Sequence, residues 1–96
     1  MNKMKIRVHE ASNATLQDLL YDDTHCTLLA KFGTLGEAER CNSMLLDALF
    51  DEGGELSKHM REVVQCFPIR SNVAVFMDNK AGADAVNDYI LKNFGE

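Results

Sequence analysis

Ninety-six residues, 46% apolar and 26% charged, suffice for one hydrophobic core and exclude a disordered chain or one enclosing a large ligand cavity. Fifteen acids against ten bases leave a formal charge of −5, which disfavours a sequence-independent nucleic-acid binder. No apolar run approaches the roughly 18 residues of a membrane span.

In chain order, Met4 to His9 alternates apolar and basic residues, as a half-buried edge strand does. No apolar stretch follows these basic residues, so a secretion signal is not expected. Thr15 and Asp18 stand in capping-box spacing, and Leu16, Leu19 and Leu20 predict a short helix ending near Tyr21, where Asp22-Asp23 opposes the dipole. Thr24 to Phe32 predicts a second strand ended by Gly33. Thr34 and Glu37 form another capping box, opening a helix from Leu35 to about Glu52 with Leu35, Ala38, Cys41, Leu45, Ala48 and Leu49 as its core stripe.

Gly53-Gly54 ends that helix. Leu56, Met60, Val63, Val64 and Phe67 then recur at three- and four-residue spacing, which predicts a second helix from Glu55 to Cys66 and hence a helical hairpin. Pro68 stops it. Ile69 to Met77 predicts a third strand, apolar on both sides over Val73–Met77 and therefore covered on both faces. Asp78-Asn79 caps a last helix, Lys80 to about Phe94, with Val86, Tyr89, Ile90 and Phe94 turned inward.

These elements predict one globular domain over residues 1–96. Its class is α+β, with α/β as the variant: a small three-stranded sheet packed with about four helices in the order β-α-β-α-α-β-α. The first crossover is long enough to be parallel and right-handed.

For chemistry, three cysteines (Cys26, Cys41, Cys66) and three histidines (His9, His25, His59) show no short ligand spacing, so neither a metal nor another cofactor is expected. The cysteines lie in core patterns, where a thiol is a small apolar group rather than a nucleophile. Three unpaired cysteines also suit the cytoplasm, the expected location. Gly33 and Thr34, with Asp78, Asn79 and Lys80, stand at strand ends leading into helices. An open α/β sheet would place a small-ligand or phosphometabolite site there.

The acids suggest a different surface. Glu39, Ser43, Asp47 and Asp51 recur every four residues along the long helix, beside Leu46 and Phe50. Like charges at that spacing weaken an isolated helix, and acids around an apolar patch suit a basic partner. The run Leu46-Asp47-Ala48-Leu49-Phe50-Asp51 resembles the segment of the barstar ribonuclease inhibitors whose helix acids enter the target's active site. The likeness covers six residues, and the chain departs from that family's pattern in the strand expected before the helix and the glycine-separated helix expected after it. The expected function is a non-enzymatic regulatory or inhibitory module that binds another protein through Glu39, Leu46, Asp47, Phe50 and Asp51. It would be a monomer or a homodimer, the latter through the first strand or Leu91.

Overall fold

The computed structural model describes residues 3–6, 16–22 and 24–95. Its elements are β1 (Lys3–Ile6), β2 (Leu16–Asp22), β3 (Thr27–Phe32), α1 (Leu35–Phe50), a 3-10 segment (Ser57–Glu62), β4 (Val63–Ile69), β5 (Asn72–Met77) and α2 (Lys80–Phe94). The strands form one sheet in the order β1-β2-β3-β5-β4, every neighbouring pair antiparallel. The class is α+β. The expected three strands, four helices and parallel crossover are replaced by five antiparallel strands, two long helices and one 3-10 segment. Residues 7–9 of the expected first strand, and Thr15 of its following capping box, lie outside the described residues.

The expected helix over Leu16–Tyr21 is a strand, and the one expected over Glu55–Cys66 is a 3-10 segment up to Glu62 and a strand from Val63. In β2, a bulge between Leu16 and Asp18 shifts the register, so Leu16 and Leu19 both reach the core although they stand three apart. In β4, a bulge between Val63 and Gln65 does the same for Val63 and Cys66. A bulged strand thus imitates the three-residue step of a helix. The third expected strand is a hairpin: β4 and β5 pair from Ile69–Asn72 onward across Arg70-Ser71. Arg70 sits at φ +58° in that two-residue turn, a conformation normally given to Gly or Asn.

The two long helices keep their expected bounds within two residues, because their ends are set locally. Thr34 Oγ1 accepts the Glu37 N–H (3.2 Å), and the Thr34 hydroxyl donates to Glu37 Oε1 (3.3 Å). Asn79 Oδ1 accepts from Ala81 N–H (2.7 Å) and Gly82 N–H (3.4 Å). Past the α1 cap at Asp51, Gly53 takes φ +88° and turns the chain. Gly82 is required for a different reason: a Cβ there would stand 2.3 Å from Glu62 Oε1 and 2.8 Å from the Met77 methyl.

The register puts Leu19, Tyr21, Leu28, Ala30, Val73, Val75 and Met77 on one face of the sheet. All are buried with Ala38, Cys41, Leu45 and Leu49 of α1 and Ala83, Val86, Ile90 and Phe94 of α2. Both helices therefore cover that same face. Phe94 meets Phe32 edge to face at 5.8 Å, and the Tyr21 hydroxyl donates to Asp84, tying α2 to β2. That bond, helped by Lys80 3.1 Å away, holds the Asp84 carboxyl below its usual range. The expectation that β5 is covered on both faces is met by helices on one face only among the described residues.

Two substitutions check this packing. Asn87 of α2 is buried, and its Oδ1 has no hydrogen-bond partner. Asn87→Leu, close in volume, is expected to raise unfolding free energy by about 1–2 kcal/mol, since an orphaned buried polar group costs about that much. Arg70→Gly removes a left-handed non-glycine residue, and a gain of roughly 0.5–1 kcal/mol is expected once glycine's added chain entropy is subtracted. Urea titration measures both, and a loss of stability in either variant contradicts the geometry assigned to that position.

Candidate functional site

The outer surface of α1 presents the residues expected to meet a partner. Glu39, Asp47, Phe50 and Asp51 are exposed, and Leu46 is half-buried, leaning on the core. At 66%, Phe50 is the most exposed large apolar side chain among the described residues. Leu46, Asp47, Phe50 and Asp51 cluster in the last turn of α1 and at its cap. Glu39 shares the face but stands eight residues back, about 12 Å along the axis.

The charges there are at the wrong end of the helix for stability. A helix C-terminus carries partial negative charge and favours cations. The last turn of α1 holds no basic residue, while Asp47, the cap Asp51 and Glu52 are all acidic. By contrast, Glu37 in the first turn complements the dipole.

Beside this cluster lies a cleft that sequence reasoning missed. It has a volume of about 470 Å³ and runs between the end of α1, the Gly54–His59 segment and the outer side of α2. Asp51, Glu55 and Asp88 contribute acids, Lys58 and Lys92 bases, and Tyr89 the apolar wall. A shallower depression continues from it past Met44 and Asp47 to Phe50, sharing Ala48, Asp51 and Tyr89. The Tyr89 hydroxyl donates to the Met44 carbonyl (3.2 Å) and so braces α2 against α1. Burial first, then the Cys41 thiol and the Asp47 carboxylate, raise its pKa. His59 Nδ1 lies 2.9 Å from Glu62 Oε1 at the far wall. The cleft exists because the chain after Gly54 is a 3-10 segment leading into a strand rather than a helix lying along α1. Residue spacing carried no sign of that.

The alternative ligand residues are not brought together. β3 and β5 are antiparallel, with Lys31 opposite Asn72 and Thr27 opposite Phe76. Gly33 and Thr34 therefore follow one end of the sheet, and Asp78, Asn79 and Lys80 the other. Each helix N-terminus is also capped by its own side chains, Thr34 at α1 and Asn79 at α2. Lys80 is engaged with Asp84, and Glu62 lies against the first turn of α2 at Gly82.

No group of three or more His, Cys, Asp or Glu side chains among the described residues could hold a metal ion. The thiols of Cys41 and Cys66 face the core. Burial pushes Cys41 up to about 12, with Cys66 adding to the effect, and pushes Cys66 up to about 11. Cys66 donates to Asn42 Oδ1 at 3.3 Å. No helix among the described residues is long and apolar enough to cross a membrane.

Comparison of the chain with known protein families, with characterised proteins and with solved structures gives no match.

The buried thiols give a direct check on this packing. Both folded pKa values lie above the ordinary value of 9.0, so the folded state holds its thiol protons more tightly than the unfolded chain. That contribution to stability is complete below pH 9 and is lost as pH rises toward 11–12. At pH 8 the thiolate fraction of folded Cys66 is roughly a thousandth. Alkylation followed by peptide mapping is expected to leave Cys41 and Cys66 unmodified in the native protein and to label them in denaturant. Rapid native labelling of Cys41 contradicts its place in the core.

Proposed function

We propose that the protein is a non-enzymatic interaction module, regulatory or inhibitory in effect, that binds a basic surface of another protein through the end of α1. The observation that carries this reading is the combination at that end: Phe50, the most exposed large apolar side chain among the described residues, flanked by acids that weaken the helix they sit on. Aromatic side chains are enriched at interface centres, and polar and charged groups form the rim around them. Phe50 supplies apolar area, Asp47 and Asp51 steer and register a cationic partner, and Leu46 extends the apolar contact toward the core. The adjoining cleft accepts one basic side chain of the partner, its ammonium or guanidinium between Asp51, Glu55 and Asp88 and its stem against Tyr89.

A surface kept for binding and one kept for stability respond oppositely to charge reversal. Asp47→Lys with Asp51→Lys is expected to hold or raise thermal stability, because two cations replace two anions at a helix C-terminus, at about 0.3–1 kcal/mol each. The same variant, and Phe50→Ala, are expected to lose the partner that wild-type protein co-purifies from its native host. Undiminished capture by both variants contradicts the assignment. So does a stability loss in the charge-reversed variant, since the acids would then serve the fold.

A further inference from the structure

Register decides which backbone groups of the sheet are left over. β4 is the last strand in the sheet order, so among the described residues only β5 pairs with it. Hydrogen-bonded and non-bonded pairs alternate along an antiparallel ladder. The two-residue turn Arg70-Ser71 makes Ile69–Asn72 a bonded pair, and with it Phe67–Ala74 and Gln65–Phe76. The same alternation continues past the strand end, where the Asp78 N–H reaches back to the Glu62 carbonyl while the Met77 N–H turns to the Cys26 carbonyl. Cys66 therefore turns its N–H and carbonyl away from β5, and Pro68 its carbonyl.

Three features make this edge a place for an added strand. It is apolar: Val63–Ile69 has no charged residue, Val64 is 61% exposed, and Phe67 and Ile69 are exposed with it. Edge strands are ordinarily guarded by charge, and β1, at the opposite edge, has two lysines in four residues. The open stretch is also bounded. The bulge between Val63 and Gln65 interrupts it at one end and Pro68, with no N–H, at the other, which admits a short segment and not another sheet. Finally, α1 forms a wall beside it. Cys66 donates to Asn42, which fixes the flank of α1 that faces β4. Leu35, Glu39 and Leu46 share that flank by helical spacing; Leu35 and Glu39 are exposed and Leu46 is half-buried. The Phe32 N–H bonds the Ser71 carbonyl (2.8 Å), which puts the start of α1 near the β4–β5 turn. Glu39 thus stands toward Pro68 and Leu46 toward Val64.

We propose that β4 takes up, in antiparallel pairing opposite Cys66, an extended segment of the partner protein in which basic and apolar residues alternate. Successive side chains of a strand face opposite ways. The residue opposite Cys66, and those two places to either side of it, face α1. There a lysine or arginine lays its stem on Leu35 or Leu46 and its charge at Glu39. The residues between them turn to the other side, apolar against Phe67 and Ile69. A second copy of the chain at this edge would lay its own acidic α1 beside the first, so charge favours a cationic chain. The partner's charge rests on the reading of α1 given above; its extended form rests on β4 alone.

The probe is a blocked hexapeptide of alternating lysine and valine, added to about 1 mM to the isotope-labelled full chain and followed by amide shifts and exchange. The Cys66 amide is expected to shift and its exchange to slow. Val64→Lys and Glu39→Lys, both at exposed side chains, are expected to weaken binding at least tenfold, with circular dichroism verifying that each variant is folded. The same loss is expected for a peptide with glutamate in place of lysine, and for one N-methylated on its amides, which keeps the charges and removes the donors. An unshifted Cys66 amide overturns the strand addition, as does an N-methylated peptide that binds as well as the unmodified one. Undiminished binding by Val64→Lys overturns it equally. If the peptide fails while Asp47→Lys with Asp51→Lys still abolishes partner capture, the strand addition falls and the reading of the α1 end stands.

Discussion

The pairing of β5 with both β3 and β4 is the constraint from which the other features follow. It makes β5 an interior strand, with Val73, Val75 and Met77 against the helices and Ala74 and Phe76 on the other side. It ties Val63–Ile69 into the sheet as a strand, so the chain leaving α1 must turn away through the Gly54–Glu62 segment to reach the sheet edge. That detour opens the cleft between α1 and α2. It also brings Glu62 over the first turn of α2, where the Glu62 carbonyl accepts the Asp78 N–H (2.9 Å) and only a glycine fits at position 82. A helix over the same residues would remove the cleft, the Glu62 contact and the Phe67–Phe76 stack together.

Elements whose ends are set by a cap within a few residues were legible in the sequence. α1 and α2 have Thr34 and Asn79 at their starts, unbroken stripes of 3.6-residue period, and glycines beyond their ends. The strands containing bulges were not legible. Leu16 with Leu19 reproduces helical spacing only because β2 carries an extra residue against its neighbour, a fact about pairing that no local window contains; of the other expected stripe, Val63 packs on the core while Val64 and Phe67 are exposed. The β4–β5 turn was hidden for a related reason. Arg70 occupies a left-handed position for which the expected signal is Gly or Asn, so Ile69–Met77 reads as continuous.

The candidate site divides along the same line. The acids, Leu46 and Phe50 of α1 were legible because a helix's outer face follows from its inner stripe. The cleft beside them depends on the path of residues 54–62 and on Tyr89, which the periodicity assigned to the core and which lines the cleft while bracing α2 against Met44. Gly33 and Thr34, grouped with Asp78–Lys80 on the premise of a parallel sheet, are separated because the strands before them run in opposite directions. The end of α1 thus differs from the rest of the helix in setting an exposed phenylalanine among acids.

Everything above turns on residues 63–69 being a strand paired with β5. Cross-strand proton contacts measured by NMR test that most directly. Close Hα–Hα approaches among the pairs from Gln65–Phe76 to Ile69–Asn72, where the two backbones come nearest, are expected together with slow amide exchange on the β5 side of β4. Sequential amide–amide contacts running through Val63–Cys66, the signature of a continuing helix, would contradict the account. The cleft and the seat of Glu62 would then go with it.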